Sequence, residues 1–211
     1  MYSSMANPTP SITFNSITSK YTVNFAGAAI ETTVTDKATT IDEWVHEILN
    51  LHGAHPMVVG LDIEWRPHHN SWMSNKSATL QLCIDKKCLI VQLFYVDYIP
   101  TSLKNFLLNK NFTFVGLEVE DDVKKLKDEY DLGCGSSADI KALAKIRWPG
   151  RFRRPGLKDL ALEVADLRML KPRHVTMSNW ENRVLTEGQI EYGCIDAYAS
   201  YKIGHILLIQ K

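Results

Sequence analysis

Asp62 and Glu64 stand one residue apart in the apolar run VVGLDIEWR, a spacing that suits chemistry. On a β-strand, side chains alternate, so both acids project from one face while Leu61, Ile63 and Trp65 project from the other. A buried unpaired carboxylate is costly and two neighbours repel, so the pair calls for a cation, protons or strong donors. Two more acidic positions join them. VGLEVEDDVKKL sets Asp121 and Asp122 where an expected strand gives way to a helix, and YGCID sets Tyr192 and Asp196 four residues apart, on one helical face. Carboxylates from three elements are the oxygen donors that Mg2+ or Mn2+ prefers, and two such ions would offset the repulsion and suit phosphodiester hydrolysis. Each feature alone also has a plainer reading: a structural ion pair for the strand acids, a buried aromatic with a hydrogen-bonding tip for Tyr192, and packing for Cys194.

The elements that must position these residues follow from pattern. SITF, YTVNFAG and AIETTVT read as three N-terminal antiparallel strands. TTIDEWVHEILN repeats Asp42, Trp44, Val45, Ile48 and Leu49 at helical spacing, with Thr40 or Asp42 as its cap. MVVGLDIEW, ATLQLCID and KCLIVQLFY form a central strand set, the last two joined at DKK. A helix around TSLKNFLLN, a strand FTFVGLEV and a helix opening at DDVKKLKDEY come next, the last with acids suited to the helix dipole. ADIKALAKI, GLKDLALEVA and TEGQIEYGCIDAYASYKIGHILLIQ read as helices. Thr186 and Gln189 have capping-box spacing in the last of these, and Ile190, Cys194, Ala197, Ile203 and Leu207 mark an apolar side.

The chain has 211 residues, enough for one substantial core, and neither a repeat nor a linker divides it, so a single domain over 1–211 is expected, with residues 1–10 frayed. Lys plus Arg and Asp plus Glu both total 24, so bulk charge argues for neither a nucleic-acid nor a membrane partner, and any such surface must be local. The four cysteines show neither zinc spacing nor the density of a disulfide scaffold. With no signal segment at MYSSMANPTP and no apolar run near about 18 residues, the expected setting is intracellular, nucleus or cytoplasm, not secreted and not in a membrane.

Several motifs together resemble one family. SNWENRVLTEGQIEYGCIDAYAS is similar to the third motif of the tyrosine branch (DEDDy) of DnaQ-like 3'-5' exonucleases, and especially to the Werner-type exonuclease domain group. VVGLDIEWRP resembles the first motif, KSATLQLCIDKKCLIVQL the strand pair after it, VGLEVEDDVKKL the second motif, and PGLKDLALEVADLRMLKP the segment between the second and third. The resemblance runs in order from about residue 40 to the end. It implies a ribonuclease H-like α/β domain, a mixed sheet with helices on both faces and extra N-terminal strands. Position by position, it implies Asp62, Glu64, Asp122 and Asp196 as ligands of two divalent cations, Mg2+ or Mn2+, and Tyr192 as the residue that positions the attacking water. Asp122 is favoured over Asp121 because Val115–Gly116 before it and Leu126 after it hold the family register. The sister branch carries a histidine five residues before the last acid. Here Glu191 holds that position and tyrosine stands four before.

The activity implied is two-metal-ion removal of nucleoside monophosphates from the 3' end of DNA or RNA. The alternatives are a catalytically weak nucleic-acid-binding or assembly module on the same fold, and a phosphoesterase acting on small nucleotides. A homo-oligomer is compatible with the sequence. Lys124 replaces an aromatic residue that some relatives carry two positions after the second-motif acid, and offers a phosphate contact instead. The segment Lys141 to Lys158 places Arg147, Arg151, Arg153 and Arg154 among Trp148 and Phe152. It reads equally as a strand-guiding loop, with arginines on phosphates and aromatics on bases, or as a solvated turn or subunit contact. His68 and His69 read as solvated loop residues or substrate contacts.

Overall fold

The computed structural model of the chain describes residues 9–53, 55–68 and 75–210; the expected fraying of residues 1–8 and the reading of His69 lie outside them. Strand β1 (Ser11–Asn15), β2 (Lys20–Phe25) and β3 (Ala28–Thr35) form an antiparallel meander, as the alternating N-terminal runs predict. The β2–β3 turn holds Ala26 at φ 48° and Gly27 at φ 79°, the left-handed pair that a two-residue hairpin needs and that glycine supplies without steric cost.

Strand β4 (Met57–Glu64), β5 (Thr79–Ile84) and β6 (Lys87–Gln92) run antiparallel, and β7 (Phe112–Gly116) and β8 (Ser137–Asp139) add in parallel beyond β4. β3 lies parallel to β6, so one sheet has the order β1-β2-β3-β6-β5-β4-β7-β8. The helices are α1 (Ala38–His52), α2 (Thr101–Leu108), α3 (Val119–Tyr130), α4 (Ile140–Arg147), α5 (Leu157–Ala165), α6 (Arg173–Thr176) and α7 (Glu187–Leu208).

Strand β7 shows how the sheet divides its two apolar layers. Phe112 and Phe114 turn to one side, with ring centroids 4.8 and 5.6 Å from Phe106 of α2, whose other edge meets Trp44 of α1 at 5.9 Å. Val115 turns to the other side, where α7 passes so closely that a Cβ on Gly204 would lie 2.5 Å from its Cγ2. Helices therefore cover both faces, and the expected mixed sheet with added N-terminal strands is the observed one. Helix α7 is buried well beyond the expected stripe, from Gln189 through Gly204 with Glu191 and Lys202 the less covered positions, because α4 and α5 pack on the side away from the sheet.

Three local expectations are corrected. α1 begins at Ala38, so Thr40 and Asp42 lie inside it; its first amide donates to Asp97 Oδ1 at 2.9 Å, a cap from a distant loop. Strand β7 stops at Gly116 because Glu118 takes a left-handed conformation, φ 59°, and α3 opens at Val119. The helix expected from Ala138 opens at Ile140, since Ser137–Asp139 pair with β7 and Asp139 caps the helix through the Ala142 amide at 2.6 Å. Among the described residues, no helix is long and apolar enough to cross a membrane.

Candidate active site

The site forms where α7 crosses β4. A Cβ on Gly60 would stand 1.9 Å from the Ala197 carbonyl oxygen, so only glycine lets the helix rest on the strand at backbone distance. Gly60 shares a strand face with Asp62 and Glu64, so the close crossing sets Asp196 over both acids. The start of α7 is fixed by the capping box that the sequence predicts. The Gln189 amide donates to Thr186 Oγ1 at 3.2 Å, and the Thr186 amide donates to Gln189 Oε1 at 3.0 Å. Gln189 Nε2 also donates to Ser178 Oγ at 2.9 Å and to the Asn179 carbonyl at 3.2 Å, tying the cap to the SNW segment. Trp180 of that segment is buried, and its ring lies 6.0 Å from that of Tyr192.

Carboxylate oxygens of Asp62, Glu64 and Asp196 all lie within 4.8 Å of one another. Among the described residues, Asp62 Oδ2 is a buried acceptor with no hydrogen-bond partner. Burial pushes the Asp62 carboxyl well above the usual carboxylate range, and the charges of Glu64, Asp196 and Asp122 push the same way. Burial first, then Asp196, raises Glu64 to about 8. Burial also raises Asp196, although the Lys171 ammonium pulls it back. Such a group of acids is unfavourable when fully ionised, and a hard cation with oxygen preference fits it: the donors are oxygens, they converge, and one is orphaned.

Asp122 sits in the first turn of α3, outside the 4.8 Å group, yet its charge is felt by Asp62 and Glu64. Burial, then Asp121 and Glu118, raise its carboxyl to about 7, whereas Asp121 is exposed. Two anchors place α3. At its start the Glu118 amide donates to Asp139 Oδ2 at 2.5 Å. Farther along, Lys125 Nζ donates to the Asn75 carbonyl at 2.7 Å, the Ser77 amide to Glu129 Oε2 at 2.7 Å, and the Tyr130 hydroxyl to the Ser77 carbonyl at 2.5 Å. These bonds hold the helix bearing Asp122 against the residues that lead into β5.

The structure thus brings Asp62, Glu64, Tyr192 and Asp196 together, with Asp122 at the margin. Sequence reasoning missed Lys171. Its Nζ donates to Asp196 Oδ2 at 2.5 Å and to the Tyr192 hydroxyl at 3.1 Å, and lies 5.2 Å from the Tyr192 ring centroid. Nothing in the spacing of RMLKP marks it; the one available signal was its place inside a segment that already resembled the family. Burial and the charges of Asp196, Glu64 and Asp62 push the Tyr192 hydroxyl far up, so it stays protonated at neutral pH.

The basic positions divide. Arg151 is engaged within the chain, paired with Glu163 at 2.5 Å and lying 5.8 and 5.6 Å from the Trp148 and Phe152 rings, which meet each other edge-on. Lys124, Arg153 and Arg154 are exposed. A cavity of about 450 Å³ lined by Arg66, Pro67, His68, Met177, Ser178 and Asn179 opens between the residues after Glu64 and those before Trp180.

Comparison with known proteins gives the site a context. Residues 32–210 match the family model described as 3'-5' exonuclease. A 3'-5' exonuclease of Arabidopsis thaliana is 32% identical over 151 residues, covering 71% of this chain and 52% of that protein. The bifunctional 3'-5' exonuclease/ATP-dependent helicase WRN of Mus musculus is 32% identical over 145 residues, covering 67% of this chain and 10% of that protein. The chain therefore spans about half the length of the first relative and a tenth of the second. Escherichia coli RNase D, an exoribonuclease involved in structured RNA processing, shares the fold over 85% of this chain and 44% of its own, with a TM-score of 0.69 at 17% identity. The EXD2 exonuclease domain, in a crystal soaked in Mg and GMP, aligns over 84% of this chain and 89% of its own, with a TM-score of 0.50 at 25% identity.

Proposed function

The chain belongs to the 3'-5' exonuclease family, and from that premise we propose that it removes nucleoside monophosphates from the 3' end of a nucleic-acid strand by metal-dependent phosphodiester hydrolysis. One observation carries the reading: oxygens of Asp62, Glu64 and Asp196 lie within 4.8 Å of one another, beside a Tyr192 hydroxyl that shares the Lys171 ammonium with Asp196. Asp62, Glu64 and Asp196 would hold one Mg2+ or Mn2+, and Asp62 with Asp122 a second. When bound, the ions neutralise the acids, acidify a water and stabilise the leaving oxygen. The EXD2 exonuclease domain, to which this chain is similar, was soaked in Mg and GMP, a cation and a mononucleotide of the kinds this reading invokes.

The chain's own residues do the rest. Tyr192, held protonated, keeps a hydroxyl donor that orients the attacking water. Trp180 behind its ring removes the freedom that would blur that aim. The Arg66–Asn179 cavity gives a terminal nucleotide room, and exposed Lys124, Arg153 and Arg154 supply phosphate contacts along the strand.

Parallel incubation with single-stranded DNA, recessed-end duplex DNA, RNA and mononucleotide esters, each with Mg2+ or Mn2+, tests the reading. At least one strand substrate must release nucleoside monophosphates faster than any mononucleotide ester is cleaved. Preference for the esters would point to a small-nucleotide phosphoesterase, and binding without turnover to an assembly module.

A further inference from the structure

The acids of this site already have a partner in the protein, and its position bears on how a metal would load. Lys171 stands in the segment between α5 and α6, outside the elements that supply the acids. Its ammonium reaches Asp196 Oδ2 at 2.5 Å and Tyr192 Oη at 3.1 Å, so it bridges two residues one helical turn apart. The Asp196 carboxylate is almost fully buried, 5% exposed, while the lysine side chain is 30% exposed and reaches in from the solvent side. A short charge-assisted hydrogen bond to a buried carboxylate is a strong contact. A cation that takes Asp196 as ligand would therefore bind a carboxylate that already accepts from a positive charge through one of its oxygens, and two like charges on one carboxylate repel.

We propose that Lys171 is a positioning residue, the resident counter-ion of the carboxylate cluster, which holds Asp196 and Tyr192 in place and competes with the divalent cation for Asp196. This rests on the reading of the cluster as a cation site. The flexible four-carbon stem lets the ammonium leave Asp196 as a metal enters, while an ammonium that keeps its bond to the Tyr192 hydroxyl continues to orient that donor. Such a lysine has two opposite effects. It stabilises the cluster without metal and weakens the affinity of the cluster for metal. A lysine that only packs its stem against the fold would do neither, and removing its charge while keeping the stem would change neither stability nor metal affinity.

Lys171→Met keeps the stem and removes the charge. Titration with MnCl2 by calorimetry should show binding about tenfold tighter than in the wild type, the order expected for relief of one like-charge repulsion between partly solvated ions. Thermal melting followed by circular dichroism should show a lower Tm than the wild type with EDTA and a matching Tm at saturating Mn2+. Lys171→Gln, neutral but able to donate to both partners, should repeat the tighter binding if the methionine variant does not fold, and Lys171→Arg, which keeps the charge, should bind Mn2+ like the wild type. Equal or weaker Mn2+ binding in the neutral variants, or a Tm deficit that persists unchanged with Mn2+, overturns the counter-ion role. Absence of Mn2+ binding in the wild type overturns the cation-site reading itself, a separate outcome.

Discussion

Tyr192 carries its ring 6.0 Å from that of Trp180 and its hydroxyl against the Lys171 ammonium that also holds Asp196. Phenylalanine would keep the ring beside Trp180 and lose the hydroxyl, both as a donor to water and as the acceptor from Lys171. Tyr192→Phe should therefore melt near the wild-type temperature and lose roughly a hundredfold or more in kcat with little change in KM, read by single-turnover cleavage. An unchanged rate would remove the tyrosine from the chemistry. Glu129 gives a second prediction, about pH. Burial works to raise its carboxyl, but hydrogen bonds from Lys125 and from the Ser77 amide outweigh it and hold the group below its ordinary value. An acid lowered on folding contributes stability above its unfolded pKa and loses that contribution as pH falls through the folded value. Glu129→Gln should cost about 1 kcal/mol at pH 7, the modest figure reflecting partial solvent screening, and the deficit should shrink below about pH 4. Melting curves at the two pH values decide it.

Among the elements, the crossing of α7 on β4 governs the site. Gly60→Ala would press a methyl into the Ala197 carbonyl at 1.9 Å and push the helix off the strand. The expected cost is about 3 kcal/mol of stability, with loss of cleavage because Asp196 leaves Asp62 and Glu64. Full stability and activity in that variant would contradict the packing account. The same elements show what was legible in the sequence. The strand acids and the Tyr192–Asp196 pair were readable because period two and period four put them on shared faces whatever the tertiary context. The capping box of α7 was readable because its partners lie three residues apart. The start of α1 was not, since its cap comes from Asp97, 59 residues away. Strand β8 and helix α6 span three and four residues, too short for any periodicity to show. Lys171 escaped for a related reason: a lone lysine before a proline has no pattern, and its role exists only once α7 lies beside it.

For the molecule as a whole, zero net charge means that a polyanionic strand is attracted only locally, against the repulsion of an acidic site. Arg153 and Arg154 are exposed, while Arg151 is held by Glu163. The double variant Arg153→Ala/Arg154→Ala should weaken single-strand binding and reduce the slope of log K against log salt by roughly 1.4, about 0.7 per lost phosphate contact. An unchanged slope would assign the segment to a solvated turn. The sheet order itself carries the site, since the strand that holds Asp62 and Glu64 lies among the central strands and receives α7 on one face and α3 near its end. The most direct measurement uses a 5'-labelled oligonucleotide incubated with Mn2+ and the wild type or Asp62→Asn. The wild type should yield a ladder shortened stepwise from the 3' end that disappears with EDTA, and Asp62→Asn should leave the strand intact. A ladder of equal strength from Asp62→Asn, or one that persists in EDTA, would contradict the assignment of this acid cluster as the metal-dependent active site.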